Sequence, residues 1–311
     1  MLPILLKTLP FFALIGLGFL AGRTRFFGVE ATAALTRFVF YFALSAMLFG
    51  FAANLSIGQI FDWPFVVAYL TASVVVYLFA TAIALWRGVS VEEAAVEAQC
   101  AVIGNVGFLG VPMLVLLLGA AAAGPVLLVL AVDLIVFSSV ITLVITARRQ
   151  GRMRLGIFRV LAVGLLKNPM IVSIVLGLAW GATGWTVPGP VNEFLTILGA
   201  AATPGALFAI GASLAGRSAE RVQVAAWLAF AKLVVHPAAV AVSALAIFPV
   251  ERYAAGVMIA AAALPVAGNV YILAAHYGVA PQRVSTAILL STAASVLTVT
   301  AVIALVNGGS Q

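Results

Sequence analysis

Long apolar stretches alternate with short polar links along the whole chain. A membrane-crossing helix needs about 20 mostly apolar residues. The pattern predicts ten such segments, over residues 2–22, 31–53, 63–86, 94–118, 124–147, 160–182, 191–215, 222–248, 253–276 and 283–306. The longest polar link covers residues 148–154, and a turn-rich link covers 181–190 with Trp185 placed for an interface. Two segments are unfit to be regular helices. The fourth contains Gly104-Asn105-Val106-Gly107-Phe108-Leu109-Gly110-Val111-Pro112, and the ninth Leu264-Pro265-Val266-Ala267-Gly268-Asn269-Val270-Tyr271. Glycine costs about 1 kcal/mol and proline about 3 kcal/mol against alanine inside a helix. Opened backbone at membrane depth is tolerated where it is buried in protein or lines a cavity. Each break also carries an asparagine, whose amide needs partners that hydrocarbon lacks. A broken span with a polar residue at the break is the pattern of a transport site near the membrane midplane. The plainer reading is close helix packing through the glycines, with asparagine hydrogen bonds between helices.

Composition agrees with the pattern. The 311 residues are 65% hydrophobic and only 8% charged, against about 25% charged in a soluble domain, and mean hydropathy is +1.24. The expectation is an all-helical integral membrane protein without a soluble domain. The first apolar run starts at Leu2 with no basic leader and is long enough to span, so no cleavable signal is expected. A single cysteine, Cys100, excludes an internal disulfide. The net charge of +7 does not point to nucleic acid, because the basic residues fall in the links. Links after odd-numbered segments hold Arg23, Arg25, Arg87, Arg148, Arg149, Arg152, Arg154, Arg159, Arg217, Arg221 and Arg283, against Lys7 and Arg252 on the other side. The positive-inside rule then predicts both termini outside the cytoplasm of a cell (inner) membrane.

The halves look related. Gly104-Asn105-Val106 and Gly268-Asn269-Val270 coincide at an offset of 164 residues, which also carries the first segment onto the sixth. Five segments per half is an odd number, so two similar halves, 1–150 and 160–311, would be inverted relative to one another.

These residues resemble a known family. The fourth segment, residues 104–112, resembles the signature of the auxin efflux carriers in their bacterial branch. So do Leu264-Pro265, Asn269 and Ala274 with Tyr277-Gly278, Lys167-Asn168-Pro169, Pro204 to Gly211 with Ser213, Lys232 to Pro237, and Ser285-Thr286 to Ser291-Thr292. The resemblance implies ten helices in a 5+5 inverted repeat, like sodium/proton antiporters and bile-acid transporters, with broken helices crossing at the centre. It implies a carrier of organic anions such as auxin, malonate or malate, with Asn105, Asn269, Pro112 and Pro265 at a crossover that holds the substrate carboxylate. Gly104, Gly107, Gly268 and Tyr271 in the same two stretches complete the expected binding residues.

Two ionisable residues lie inside segments. Lys232 and Asp133 each cost at least about 2.5–3.5 kcal/mol there, which makes them functional candidates. Lys232 is expected to supply fixed positive charge behind the crossover, and Asp133 to neutralise it or titrate during transport. A purely structural pair is the competing reading. Glu92 and Glu93 suit a helix N-terminus, whereas Glu97 and Gln99 lie deeper and could line a vestibule. His236 is expected to be hydrogen-bonded in the core and His276 to be interfacial. Gly211-Ala212-Ser213-Leu214 matches the short pattern of intramembrane serine proteases, with His236 as the base that such chemistry needs. The same chain could also encode a cation/proton or sodium-coupled transporter of the same fold, or a sensor or structural membrane protein. No metal-ligand cluster, phosphate-binding loop or paired catalytic carboxylates stand out, so no cofactor is expected. The expected partners are a small organic anion and membrane lipid, with a homodimer possible and no nucleic acid. Uniport, proton coupling and sodium coupling are all open.

Overall fold

The computed structural model describes residues 2–55, 62–150, 156–216 and 221–308. Arg152, Arg154 and Arg217 of the basic links lie outside these residues. Among the described residues the regular structure is helical, apart from one isolated bridge between two extended residues.

Seven helices are long and apolar enough to cross a membrane: α1 (Leu5–Arg23), α2 (Val29–Ala53), α3 (Trp63–Trp86), α6 (Ala120–Arg148), α9 (Gly189–Ala215), α10 (Val222–Ile247) and α13 (Pro281–Val306). Their outer faces expose large apolar side chains such as Leu78, Phe79 and Leu297, as helices bathed in lipid must. Three other apolar stretches are interrupted. The fourth is α4 (Val91–Val102) followed by α5 (Val106–Leu118), and the ninth is α11 (Arg252–Ala262) followed by α12 (Gly268–Tyr277). Gly104 and Asn105 fall in the first interruption and Pro265 in the second, while Gly107, Gly110 and Pro112 lie in the first turns of α5 and Gly268 and Asn269 open α12.

The third interruption falls within residues 160–182, which the pattern reads as one continuous apolar segment. Here α7 (Arg159–Leu166) and α8 (Pro169–Ala182) meet at a bend of 73°. Proline disfavours the helical conformation of the residue before it and donates no N–H. Asn168 leaves the helix and caps the next one, its side chain accepting from Met170 N at 3.0 Å.

The helices pack as two groups. In one, α9 runs against α1 and α2, and α8 against α2. In the other, α3, α4, α6, α10, α11, α12 and α13 pack on one another. The first group is held at glycines. A side chain on Gly211 would overlap the Ile15 carbonyl, one on Gly18 the Phe208 carbonyl, and one on Gly22 would lie 2.8 Å from the Ala212 oxygen. Small residues let helix backbones approach this closely, which is what favours association in lipid. Gly211-Ala212-Ser213-Leu214 therefore has a packing role. Gly211→Val is expected to destabilise by at least about 1–3 kcal/mol, the usual cost of overpacking, because the obstacle is backbone. A melting temperature within a degree or two of wild type would contradict this contact.

Two apolar clusters run through the fold, the first of them joining both helix groups, and both interruptions fall on the boundary between the clusters. Val106, Leu109 and Met258 to Leu264 belong to one cluster, Ala95 to Ile103 and Val266 to Ala274 to the other. The polar residues of the site occupy the layer between.

Candidate functional site

The two breaks satisfy each other. Asn105 N donates to the Pro265 carbonyl at 2.8 Å, and Ala267 N to the Ile103 carbonyl at 3.1 Å. Gly104 and Val266 thus form an antiparallel bridge of one residue each, and Val266 N donates to Ser291 Oγ at 3.1 Å. This answers the problem of open backbone in an apolar setting. It also fixes the roles of the motif residues. Pro265, which has no N–H, contributes its carbonyl. Pro112 opens the regular part of α5, after a π-helical turn over Val106–Gly110 in which the Asn105 carbonyl accepts from both Leu109 and Gly110. The Val106 N–H is taken up by the Gly104 carbonyl at 2.7 Å, and the helix starts that follow, at residues 107–108 and 268–269, present the positive dipole end of a helix.

Behind the crossover sits Lys232, fully buried in a second π-helical turn, Ala231–Val235. Its ammonium donates to the carbonyl of Ala262, the last residue of α11, and it lies 3.3 Å from where a side chain on Gly104 would begin. It therefore places a cation at the negative end of one half-helix and beside the break of the other. His236 Nδ1 is 3.3 Å from Lys232 Nζ, and His236 Nε2 is 3.0 Å from Ser73 Oγ. Both ring nitrogens are engaged, which leaves His236 no free position from which to activate Ser213.

Asp133 opens a third π-helical turn, Asp133–Phe137 in α6. Its Oδ1 accepts from Tyr69 Oη at 2.8 Å, and its Oδ2 is buried without a hydrogen-bond partner among the described residues. Among the described residues, Asp133 and Lys232 form no direct ion pair. Asp133 instead borders the Gly104 break from the cavity side. The three π-helical turns that carry or adjoin these residues are notable because such turns concentrate at functional sites.

A cavity of about 540 Å³ opens on the crossover. Gly104, Asn105, Gly107, Gly268, Asn269 and Asp133 of the expected residues line it, whereas Pro112, Pro265, Tyr271 and Lys232 do not. Asn269 Oδ1 is also buried without a partner among the described residues. Asn168 and His276 join the lining, so His276 borders the cavity as well as ending its helix. Arg37 lines it too, and the sequence reading missed it. The signal was present in part: Arg37 stands inside an apolar stretch, though nearer its end than Lys232 does.

Glu97 and Gln99 are not in the lining. Glu97 is buried and bound by both Arg87 and Arg283, and Glu93 also accepts from Arg283 at 3.4 Å. Glu93 N donates to the Ser90 side chain at 3.1 Å, a helix cap. Gln99 Nε2 donates to the Phe137 carbonyl at 3.0 Å. The Glu97 cluster ties the starts of α4 and α13 to the end of α3. Glu97→Ala strands Arg283 without its buried partner and is expected to cost about 3–5 kcal/mol. A thermal melt reads this directly, and an unchanged midpoint would refute the clamp.

Comparison with known proteins places these features in context. Residues 3–303 match the sequence model of the family described as membrane transport protein. A protein of Rhizobium meliloti (strain 1021), named "Putative malonate transporter", is 31% identical over 309 residues, spanning 97% of this chain and 95% of that protein.

Proposed function

This chain belongs to the membrane transport protein family, the auxin efflux carriers, and we propose that it carries small organic anions with a carboxylate held where the two interrupted helices meet. It is a multi-pass membrane transporter, not an enzyme. The observation that carries the anion reading is the crossover at the cavity. Two helix N-termini and the amides of Asn105 and Asn269 border the same cavity, and Asn269 Oδ1 has no protein partner among the described residues. The amide oxygen and nitrogen exchange by a half-turn of the side chain, so Asn269 can turn its N–H group to a carboxylate. Such a site binds through dipoles and amides, with Lys232 as fixed charge behind them, and releases its anion without having to break a direct ion pair to that lysine.

The helix groups suggest how the carrier works. The pairing of α1 with α9 matches that of α8 with α2, and α3 with α4 matches α10 with α11, when each apolar stretch is exchanged for the one five later. This favours ten crossings in two inverted repeats, 1–150 and 160–311, with one helix group moving against the other around the site. The cavity is bordered by residues 36–37, 138–142, 160–168 and 272–277, on the side assigned to the cytoplasm by the arginine links. The structure is accordingly read as inward-facing, with both termini on the outer side of the cell membrane.

Asp133 favours a proton as the coupling ion over sodium. Asp133 is a buried carboxylate lining the cavity that the anion must enter, and a proton on it removes the repulsion and supplies a donor.

Purified protein in liposomes tests the reading. Uptake of labelled malonate, the acid named for the relative, or of another short carboxylate is expected, and Asp133→Asn is expected to remove its response to an imposed pH gradient. If no organic acid moves and none raises the melting temperature, the proposal fails.

A further inference from the structure

Among the described residues, Arg37 is the one lysine or arginine bordering the cavity. It lies nine residues into α2, about 12 Å along the helix from Val29 at 1.5 Å per residue. Its Nε makes one long bond to the Ala33 carbonyl at 3.4 Å, and no carboxylate pairs with it among the described residues. The acidic lining residue, Asp133, is engaged by Tyr69 on one oxygen. The guanidinium thus has no charged partner among the described residues, yet arginine within a membrane span is costly. A snorkelling arginine would bring its charge to the lipid surface. Arg37 is exposed and also borders the cavity, with Thr36 and Tyr41 of α2 in the same lining.

We propose that Arg37 is a second anion-binding pole, which pairs with a second negative group on a substrate whose first carboxylate is held at the crossover. The inference rests on the crossover reading given above. The planar guanidinium fork matches a carboxylate or similar oxyanion with two parallel hydrogen bonds. An anion charged at one end leaves Arg37 unpaired, and one charged at both ends satisfies both poles. The cavity thereby selects two-ended anions over one-ended anions of the same length.

Malonate and malonamate have the same length and differ by one charged end. Their affinities for wild type, Arg37→Gln and Arg37→Lys are measured by calorimetry in detergent. Wild type is expected to prefer malonate by at least about tenfold, the scale of a hydrogen bond to a charged group. Arg37→Gln is expected to weaken malonate by about 10–100-fold and malonamate by less than about threefold, so that the preference collapses, with partial recovery in Arg37→Lys. Arg37 is exposed, so its melting temperature should hold. An unchanged preference in Arg37→Gln, or equal weakening of both acids, overturns the second pole while leaving the crossover reading intact. Failure of wild type to bind any organic acid overturns both.

Discussion

Lys232→Met is expected to remove substrate flux while leaving a folded protein. Methionine has nearly the length of lysine and fills the same buried volume. The cost to stability is that of leaving the Ala262 carbonyl without its donor, about 1–3 kcal/mol, which a folded protein can absorb. What the substitution removes is the cation at the end of α11, where the ammonium reaches the Ala262 carbonyl beside Gly104. Charge-assisted hydrogen bonds contribute about 1.5–3 kcal/mol, or roughly 10–150-fold in rate at about 1.4 kcal/mol per factor of ten. Initial uptake rates in liposomes, with melting temperature as the folding control, decide the matter. A variant that is folded and transports at the wild-type rate would show that Lys232 is only structural.

The second large effect separates binding from stability. Asn269 Oδ1 is buried and unpaired among the described residues, so Asn269→Ala removes a polar group that the folded protein does not satisfy. Its melting temperature should stay level or rise, since an unsatisfied buried group costs about 1–3 kcal/mol. Substrate affinity should nevertheless fall by about tenfold, for one lost hydrogen bond to a charged ligand. Asn105→Ala should weaken binding similarly, and the pair by about 100-fold if their contributions add. A site that is less stable than it could be is the usual compromise between stability and function. Full substrate-induced stabilisation of the double variant would place the substrate elsewhere.

Much of this site was legible in the chain because its physics is local. Glycine and proline interrupt helices wherever they stand, so the two breaks could be read from residues 104–112 and 264–271. The burial cost of a charge likewise singled out Lys232 and Asp133. The bend at Asn168 was signalled by the following proline but was masked by the continuous apolar composition of residues 160–182. Tertiary packing was not legible. It decides that Pro265 serves through its carbonyl, that Tyr271 and Pro112 stand outside the cavity, and that Glu97 is enclosed by the nearby Arg87 and by Arg283 from a distant stretch. Gly211 next to Ser213 illustrates the same limit: a catalytic-looking pattern turns out to be the contact face of α9 on α1. Arg37 is less legible, because an arginine near the end of an apolar stretch also fits the positive-inside pattern.

One labelling experiment reaches the central claim. Gly268 is exposed, and a side chain added there meets nothing within 4 Å, while Cys100, the only native thiol, is buried. In Gly268→Cys the new thiol therefore reports on the start of α12 alone. If an anion is held at the crossover, malonate should slow maleimide labelling of this thiol at least severalfold, and Asn269→Ala in the same background should abolish the protection. Labelling at an unchanged rate under malonate concentrations that saturate transport would contradict it.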